Sequence, residues 1–400
     1  MFLRLGLTSF GGPIAHLGYF RAELVERRGW LRDGQYAELM ALCQFLPGPT
    51  SSQLGFGIGL HRAGMRGALA AFAGFTLPSA VLMVAFAYGA SLFTGPLGAG
   101  LLAGLKIVAV AIIAQAVLGM AKTLAPDLRR ASIAAVAALS ALLLAGSAGQ
   151  LVAIVLGGAA GYWCCRSAGA ADSGAGPSVS GEDRAAGADA LHLPVRRSTG
   201  ITALLLFLAL LFGGPVIVLA AGNGSIALFD AFYRAGSLVF GGGHVVLPLL
   251  QAGVVDAGWV TSQEFLAGYG AAQAVPGPLF TFAAYLGALA AAGPGGVLGA
   301  AIATLAIFLP GFLLLIGALP FWAAIRGRTW AQAVVRGANA AVVGILAAAL
   351  YTPVFTTAIT GPASFGLALV CFVLLVAWKL PAWAVVLVGA VGGAMLALLG

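Results

Sequence analysis

The sequence predicts an all-α, polytopic membrane protein built from two inverted-topology repeats whose helices are broken and re-entrant. Three observations lead there. The first is composition: of 400 residues, 61% are hydrophobic and 8% are charged, with a mean hydropathy of +1.04. A soluble domain carries about 25% charged residues, so this chain has too little polar surface to face water, and lipid is its solvent. The second is duplication. Phe10-Gly11-Gly12-Pro13 followed by Gln44-Phe45-Leu46-Pro47-Gly48-Pro49 returns, about 230 positions later, as Phe240-Gly241-Gly242-Gly243 followed by Gln273-Ala274-Val275-Pro276-Gly277-Pro278. Phe2/Phe232, Arg4/Arg234, Gly6/Gly236, Gly29/Gly258 and Trp30/Trp259 keep the same spacing. The third is charge. Loop 21–38 contains Arg21, Arg27, Arg28 and Arg32, whereas its counterpart 251–264 has no Lys or Arg. Basic residues gather in cytoplasmic loops, which puts the two loops on opposite sides and inverts the halves.

The elements follow in order. Apolar runs at 67–93, 99–121, 199–221, 297–320 and 332–353 approach or exceed the ~20 residues that cross a bilayer as helix. No ~10-residue alternating segments point to a β-barrel. Residues 131–165 read as a helical hairpin turning at Gly146-Ser147-Ala148-Gly149, and 363–399 as a second one turning near Lys379-Leu380-Pro381. Residues 166–198, rich in Gly, Ala, Ser and Asp, cannot build a core and read as a flexible cytoplasmic linker. It separates a first repeat domain, 1–165, from a second, 199–400; the odd helix 199–221 supplies the flip between them. The chain shows no cleavable-signal pattern and opens inside the first repeat.

Segment 39–60 lies between two basic loops, 21–38 and His61-Arg62 to Arg66. Both read as cytoplasmic, so the segment, broken at Pro47-Gly48-Pro49, is expected to enter and leave on one side. The same argument applies to 265–288 from the outside. Non-helical backbone at membrane depth is tolerated only where it lines a cavity or is buried in protein. The expected count is about nine full spans plus four broken segments. The rival is a plain count of about thirteen spans, which needs Arg62 and Arg66 outside. Gly55/Gly59 and Gly157/Gly161 have the GxxxG spacing of close helix contacts, but with 59 glycines in the chain chance accounts for such spacings.

The breaks carry the chemistry. Paired glycines free the backbone from helical geometry and allow close approach of a solute; Pro13 suits the first turn of a new helix. A fresh helix start presents unpaired N–H groups and a partial positive charge, a combination that binds anions. Pro47, Pro49, Pro276 and Pro278 break the second motif in the same way. The candidate binding residues are therefore the amides of Gly11, Gly12, Gly48, Gly241, Gly242 and Gly277, with Gln44, Thr50 and Gln273 beside them and Lys106 and Arg234 as balancing charge. An ionisable residue at membrane depth marks a pathway or a partner; the alternatives are snorkelling for Lys106 and a simple terminal anchor for Arg4. His244 follows Gly243 and is placed to donate to an anion or to titrate. No nucleophile–base set, metal-ligand spacing, disulfide framework or cofactor motif is visible. Gly55-Phe56-Gly57-Ile58-Gly59 lacks the context and pattern of a nucleotide loop. The net charge of +8 fits basic loops rather than a nucleic-acid surface.

Leu5-Gly6-Leu7-Thr8-Ser9-Phe10-Gly11-Gly12-Pro13-Ile14-Ala15-His16, Gln44-Phe45-Leu46-Pro47-Gly48-Pro49 and Phe240-Gly241-Gly242-Gly243-His244 closely resemble the chromate ion transporter family, in its long, two-domain form. The resemblance runs through nearly all of the chain outside the linker. It implies secondary active export of chromate across the bacterial inner (plasma) membrane, driven by the membrane potential or a proton gradient, and resistance to chromate. Sulfate, an isosteric dianion, is implied as a related substrate or competitor. A cytoplasmic amino-terminal extension is expected to be absent. The partners expected are a chromate- or sulfate-like dianion and the lipid bilayer, with a homodimer as one allowed assembly and no nucleic acid. Uptake or exchange of sulfate or another oxyanion, and a passive anion channel, are the competing readings.

Overall fold

The computed structural model describes residues 1–92, 95–144, 146–166 and 195–399. The expected linker falls almost wholly on 167–194, outside the described residues. The first half contains α1 (Phe2–Thr8), α2 (Gly12–Phe20) running into a π-helical turn (Arg21–Arg27), α3 (Asp33–Phe45), α4 (Thr50–Gly89), α5 (Gly95–Leu124), α6 (Leu128–Leu143) and α7 (Gly146–Cys164). After α8 (Arg197–Ala221) the order begins again. α9 (Gly224–Ser237) precedes a 3-10 turn (Gly243–Val245), α10 (Val246–Leu250) and a π-helical turn (Gln251–Val255). Next come α11 (Ser262–Ala272), a 3-10 turn (Leu279–Thr281), α12 (Phe282–Leu289), α13 (Gly296–Ala318) and the short α14 (Trp322–Ile325). The chain then forms α15 (Thr329–Ala349), a π-helical turn (Leu350–Phe355), the short α16 (Thr356–Ala358), α17 (Pro362–Val376) and α18 (Ala382–Leu399). Among the described residues there is no strand, and six helices are long and apolar enough to cross a membrane. The chain is an all-α, polytopic membrane protein.

Ala63 and Gly64 leave helical geometry and split α4 into arms 50–62 and 65–89. The first arm folds back on α3: a Cβ built at Gly57 would lie 3.0 Å from the Leu39 side chain. Residues 33–62 thus form a helical hairpin with Pro47-Gly48-Pro49 at its tip. The second half has the same hairpin over 262–289, where the Tyr285 hydroxyl donates to the Glu264 carbonyl at 3.0 Å and Pro276-Gly277-Pro278 forms the tip. The two ends of each hairpin lie together. The Arg62 guanidinium stands 5.5 Å from the Trp30 ring centroid, and the Ala291 N–H donates to the Trp259 carbonyl at 3.0 Å. This contact is the one expected of a segment that enters and leaves on the same side.

The long helices connect the two hairpin bases. Arm 65–89 starts at the base of the first hairpin, and near its end Tyr88 Oη approaches Gly296, just past the base of the second. Helix α13 starts at that second base. Its far end leads to Trp322, packed 5.5 Å from Phe45, and to Arg326, which pairs with Glu38 at 2.8 Å beside the first base.

The terminal helical hairpins exchange partners between the halves. Helices α6 and α7 pack on α15, and α17 and α18 pack on α5. Both crossings are built from small residues at matched positions. A Cβ at Gly337 would lie 2.1 Å from the Gly157 carbonyl and 2.6 Å from the Gly161 Cα. At the other crossing, a Cβ at Gly104 would lie 2.1 Å from the Gly389 carbonyl. Backbones this close gain dispersion contact that side chains would prevent. The Gly157/Gly161 spacing is therefore a packing device and not chance. The first terminal hairpin turns between Leu143 and Gly146, slightly before the expected 146–149, because Gly146 begins α7 and Gly149 fits inside it. The second turns at Lys379, which has a φ of +54°, as expected.

Candidate functional site

Each half has two interruptions, one between α1 and α2 (or α9 and α10) and one at the hairpin tip. Their glycines take backbone conformations that side chains disfavour: φ is +101° at Gly11, +78° at Gly12, +124° at Gly48, +75° at Gly241 and +101° at Gly277. Only glycine visits this region without strain. Pro13 lies in the first turn of α2, as expected, and Pro49 and Pro278 cap the segments that leave the tips.

The interruptions are joined across the halves. The Gly48 N–H donates to the Val239 carbonyl at 2.8 Å, and the Gly277 N–H donates to the Ser9 carbonyl at 2.8 Å. Ser9 and Val239 occupy matched positions, so the two bonds are the same contact made twice. Each tip also rests on the proline-containing part of the other half's long helix. Gly48 abuts Gly311, next to Pro310, and Gly277 abuts Ser79, next to Pro78. The wholly buried Gln53 reinforces the first tip, its Nε2 donating to the carbonyls of Pro47 and Gly311 at 3.0 Å each. The 3-10 turns 243–245 and 279–281 touch one another, which brings the second half's two breaks together.

These bonds sort the candidate amides. Those of Gly48 and Gly277 are committed to carbonyls of the opposite half, so their place is in joining the halves and not facing a solute. Among the described residues, no protein acceptor takes the amides of Gly11, Gly12, Gly241 or Gly242. Buried polar atoms that also lack a protein partner among the described residues include Ser9 Oγ, two residues before Gly11, and Asn339 Oδ1, with Ser52 Oγ and Thr76 Oγ1 on α4 and Gln273 Nε2 at the end of α11. Asn339 Oδ1 lies 3.4 Å from where a Gly241 Cβ would be. Buried polar groups need hydrogen-bond partners, and this set offers both donors and acceptors. His244 Nδ1 lies 2.7 Å from the Tyr269 hydroxyl, so the glycine break is joined to α11, the helix that leads to the second tip. His16 Nε2 lies 3.1 Å from the Ser9 carbonyl that accepts from Gly277. Gln44 is exposed and Thr50 half-buried, on either side of the first tip.

The charges stand apart from the tips. Lys106 Nζ contacts Gln263 Oε1 at 3.4 Å, at the base of the second hairpin. Nine helical steps at 1.5 Å each separate Gln263 from Ala272 at the end of α11, which puts it roughly 14 Å below the tip. Arg234 lies on α9, with Nη1 3.8 Å from Asp230 Oδ2. Arg4 is exposed. Sequence reasoning passed over Gln53, Tyr269, Asp230 and the proline pair. Pro78/Pro310 does keep the repeat spacing and was legible; Gln53 is matched by Phe282 and Tyr269 by Met40, so the duplication gave no signal for either.

The chromate transporter family model matches residues 1–162 and 226–394. The chain belongs to the chromate transporter family. Among its relatives, a probable chromate transport protein of Synechococcus elongatus is 30% identical over 360 residues, covering 87% of this chain and 82% of that one. A chromate transport protein of Pseudomonas aeruginosa is 29% identical over 360 residues, with 87% and 78% covered. One of Cupriavidus metallidurans is 29% identical over 380 residues, with 94% and 87% covered. No solved structure matches the chain. The two segments matched by the chromate transporter model contain all four interruptions and leave α8 out.

Proposed function

We propose that this chromate transporter family member is a secondary active transporter that exports chromate across the bacterial inner membrane. The observation that carries the reading is the pair of unpartnered glycine breaks, 11–12 and 241–242, next to the crossed tip bonds that join the two halves. Main-chain N–H groups without a protein acceptor can take the place of water around an anion. In this reading Gly11, Gly12, Gly241 and Gly242 hold the oxygens of the dianion, and Gln44, Thr50, Gln273 and Asn339 complete its shell. Arg234 and Lys106, both toward the base of the second hairpin, supply positive charge on the approach. Pro47, Gly48, Pro49, Pro276, Gly277 and Pro278 hold the tips.

The halves are read as inverted in the membrane. This is supported by the charge contrast between loops 21–38 and 251–264 and by the long helices that run from one hairpin base to the other. A rocking motion of one half against the other about the crossed tip bonds then opens the site to each side in turn. Amides recognise charge and tetrahedral shape but not the central atom, so sulfate competes for the same site. A dianion leaving the cell moves down the electrical gradient, at ~2.3 kcal/mol per charge per 100 mV.

The test uses purified protein in liposomes with an imposed potassium-diffusion potential. Chromate flux should follow the sign of the potential and compete with sulfate. Gly12→Val and Gly242→Val should abolish it at equal incorporation. Unchanged flux in both variants, or flux that never exceeds equilibration with the imposed gradients in any coupled condition, would overturn the reading.

A further inference from the structure

A second charged site lies outside the glycine breaks. Helix α9 places Asp230 and Arg234 one turn apart, both lining a cavity of about 220 Å3 together with Leu151, Val218, Leu249 and Trp259. The Asp230 side chain is 11% exposed and that of Arg234 29%. Their closest approach, 3.8 Å, is ion-pair range but too long for a hydrogen bond. The other carboxylate oxygen, Oδ1, has no hydrogen-bond partner among the described residues. It points at α8, where Gly214 makes room: a Cβ there would lie 2.2 Å from it.

No other charge explains the carboxylate. Among the described residues packed on α9, the helices α7, α10 and α13 and the π-helical turn 251–255 carry no Asp, Glu, Lys, Arg or His. Helix α8 carries only Arg197, at its first residue, about 25 Å along the helix from Gly214 at 1.5 Å per residue. Asp256 begins the turn after the π-helical segment and is exposed. Tyr233 of α9 is occupied in donating to the Phe207 carbonyl at 3.1 Å. The pair is thus a loosely held carboxylate and guanidinium, largely buried and alone together on an otherwise apolar face of the protein; in a membrane protein such a group marks a pathway or a partner.

We propose that Asp230 and a tetrahedral dianion compete for Arg234, so that protonation of Asp230 opens the cavity to the anion and ionisation closes it. The inference rests on the reading of Arg234 as an anion-facing charge and adds the proton that controls it. With Asp230 ionised, Arg234 is neutralised and a second anion in the cavity is repelled. With Asp230 protonated, the planar guanidinium is left to take two anion oxygens at once. Anion and proton then occupy the site together.

The test measures sulfate binding to the purified full chain by calorimetry between pH 5.5 and 8, a range over which sulfate keeps its charge. Wild type should lose at least tenfold in affinity across the range. Asp230→Asn, which keeps the side-chain size against Gly214, should bind with the affinity of acidic wild type at every pH; Asp230→Ser answers the same question should Asn not fold. Arg234→Gln in the Asp230→Asn background should lower the affinity at least tenfold and leave it independent of pH. A wild-type pH profile retained in both Asp230 variants, or an Asp230→Asn affinity unchanged by Arg234→Gln, overturns the inference. Chromate flux in liposomes separates the two readings. Flux that persists in these variants but fails in Gly242→Val leaves the transport function standing without this site. A wild type that neither binds nor carries either anion removes both.

Discussion

Gly277→Ala probes the crossed tip contact most sharply. Two penalties follow from the structure. Gly277 has a φ of +101°, a conformation that strains any residue with a Cβ by about 1–3 kcal/mol. The new methyl would also lie 2.8 Å from Ser79 Oγ. Ser79 can yield only by rotating away from the Thr76 carbonyl, to which it donates at 3.0 Å; a bond of that kind contributes about 0.5–1.5 kcal/mol. The expected loss is about 1.5–4.5 kcal/mol in total. Gly12→Ala is the control. Its φ is +78°, but nothing lies within 4 Å of the added methyl, so it suffers the strain alone. The assay is the midpoint of denaturant-induced unfolding in mixed micelles, run as a double-mutant cycle with Ser79→Ala. Removing the hydroxyl should recover about 1 kcal/mol of the Gly277→Ala loss and none of the Gly12→Ala loss. Equal destabilisation by the two glycine variants with no rescue would refute the packing of the second tip on arm 65–89.

Three further outcomes are expected. Gln53→Leu removes the two bonds by which one side chain holds the Pro47 carbonyl of the first tip to the Gly311 carbonyl of α13, so stability should fall by about 1–3 kcal/mol, measured by the same unfolding midpoint; the matched change Phe282→Leu should not loosen the tip. Gly337→Leu would drive a side chain into the Gly157 carbonyl, 2.1 Å from the Cβ position, and should leave little folded protein by size-exclusion elution, whereas Gly327→Leu, with open space around it, should be tolerated. In a background without native cysteines, Arg62→Cys and Arg32→Cys should react with an impermeant maleimide from one side of the membrane and Gly293→Cys from the other; labelling of Arg62→Cys and Gly293→Cys from the same side would contradict the inverted arrangement.

The sequence carried the local features well and the long-range ones poorly, for a physical reason. Hydropathy and helix-breaking residues act over one or two turns, so α5, α8, α13 and the Lys379 turn lie within a few residues of their expected places. The duplication also announced both hairpins, and the Trp30–Arg62 contact agrees with the basic loops that suggested a same-side return. Partner choice is different. Nothing in the periodicity of α5 or α15 says that each packs on the terminal hairpin of the opposite half; that information lies in which glycines meet, and Gly157, Gly161 and Gly337 are unremarkable among 59. The same holds at the site. Gly48 and Gly277 have the composition of free anion-binding amides, but whether an N–H is free depends on which carbonyl folds against it, here Val239 and Ser9. Asp230 was overlooked because its meaning comes from Gly214 on another helix and from the absence of competing charge around it.

The central claim is that a tetrahedral dianion sits where the glycine breaks of the two halves meet. Crystals grown with selenate, a sulfate-shaped dianion with an anomalous scatterer at its centre, test it directly through one diffraction measurement at the selenium edge. The account predicts an anomalous peak within hydrogen-bond reach of the Gly11–Gly12 or Gly241–Gly242 amides. Occupied selenate found only on the basic loop 21–38, with those amides turned toward protein acceptors, would contradict it.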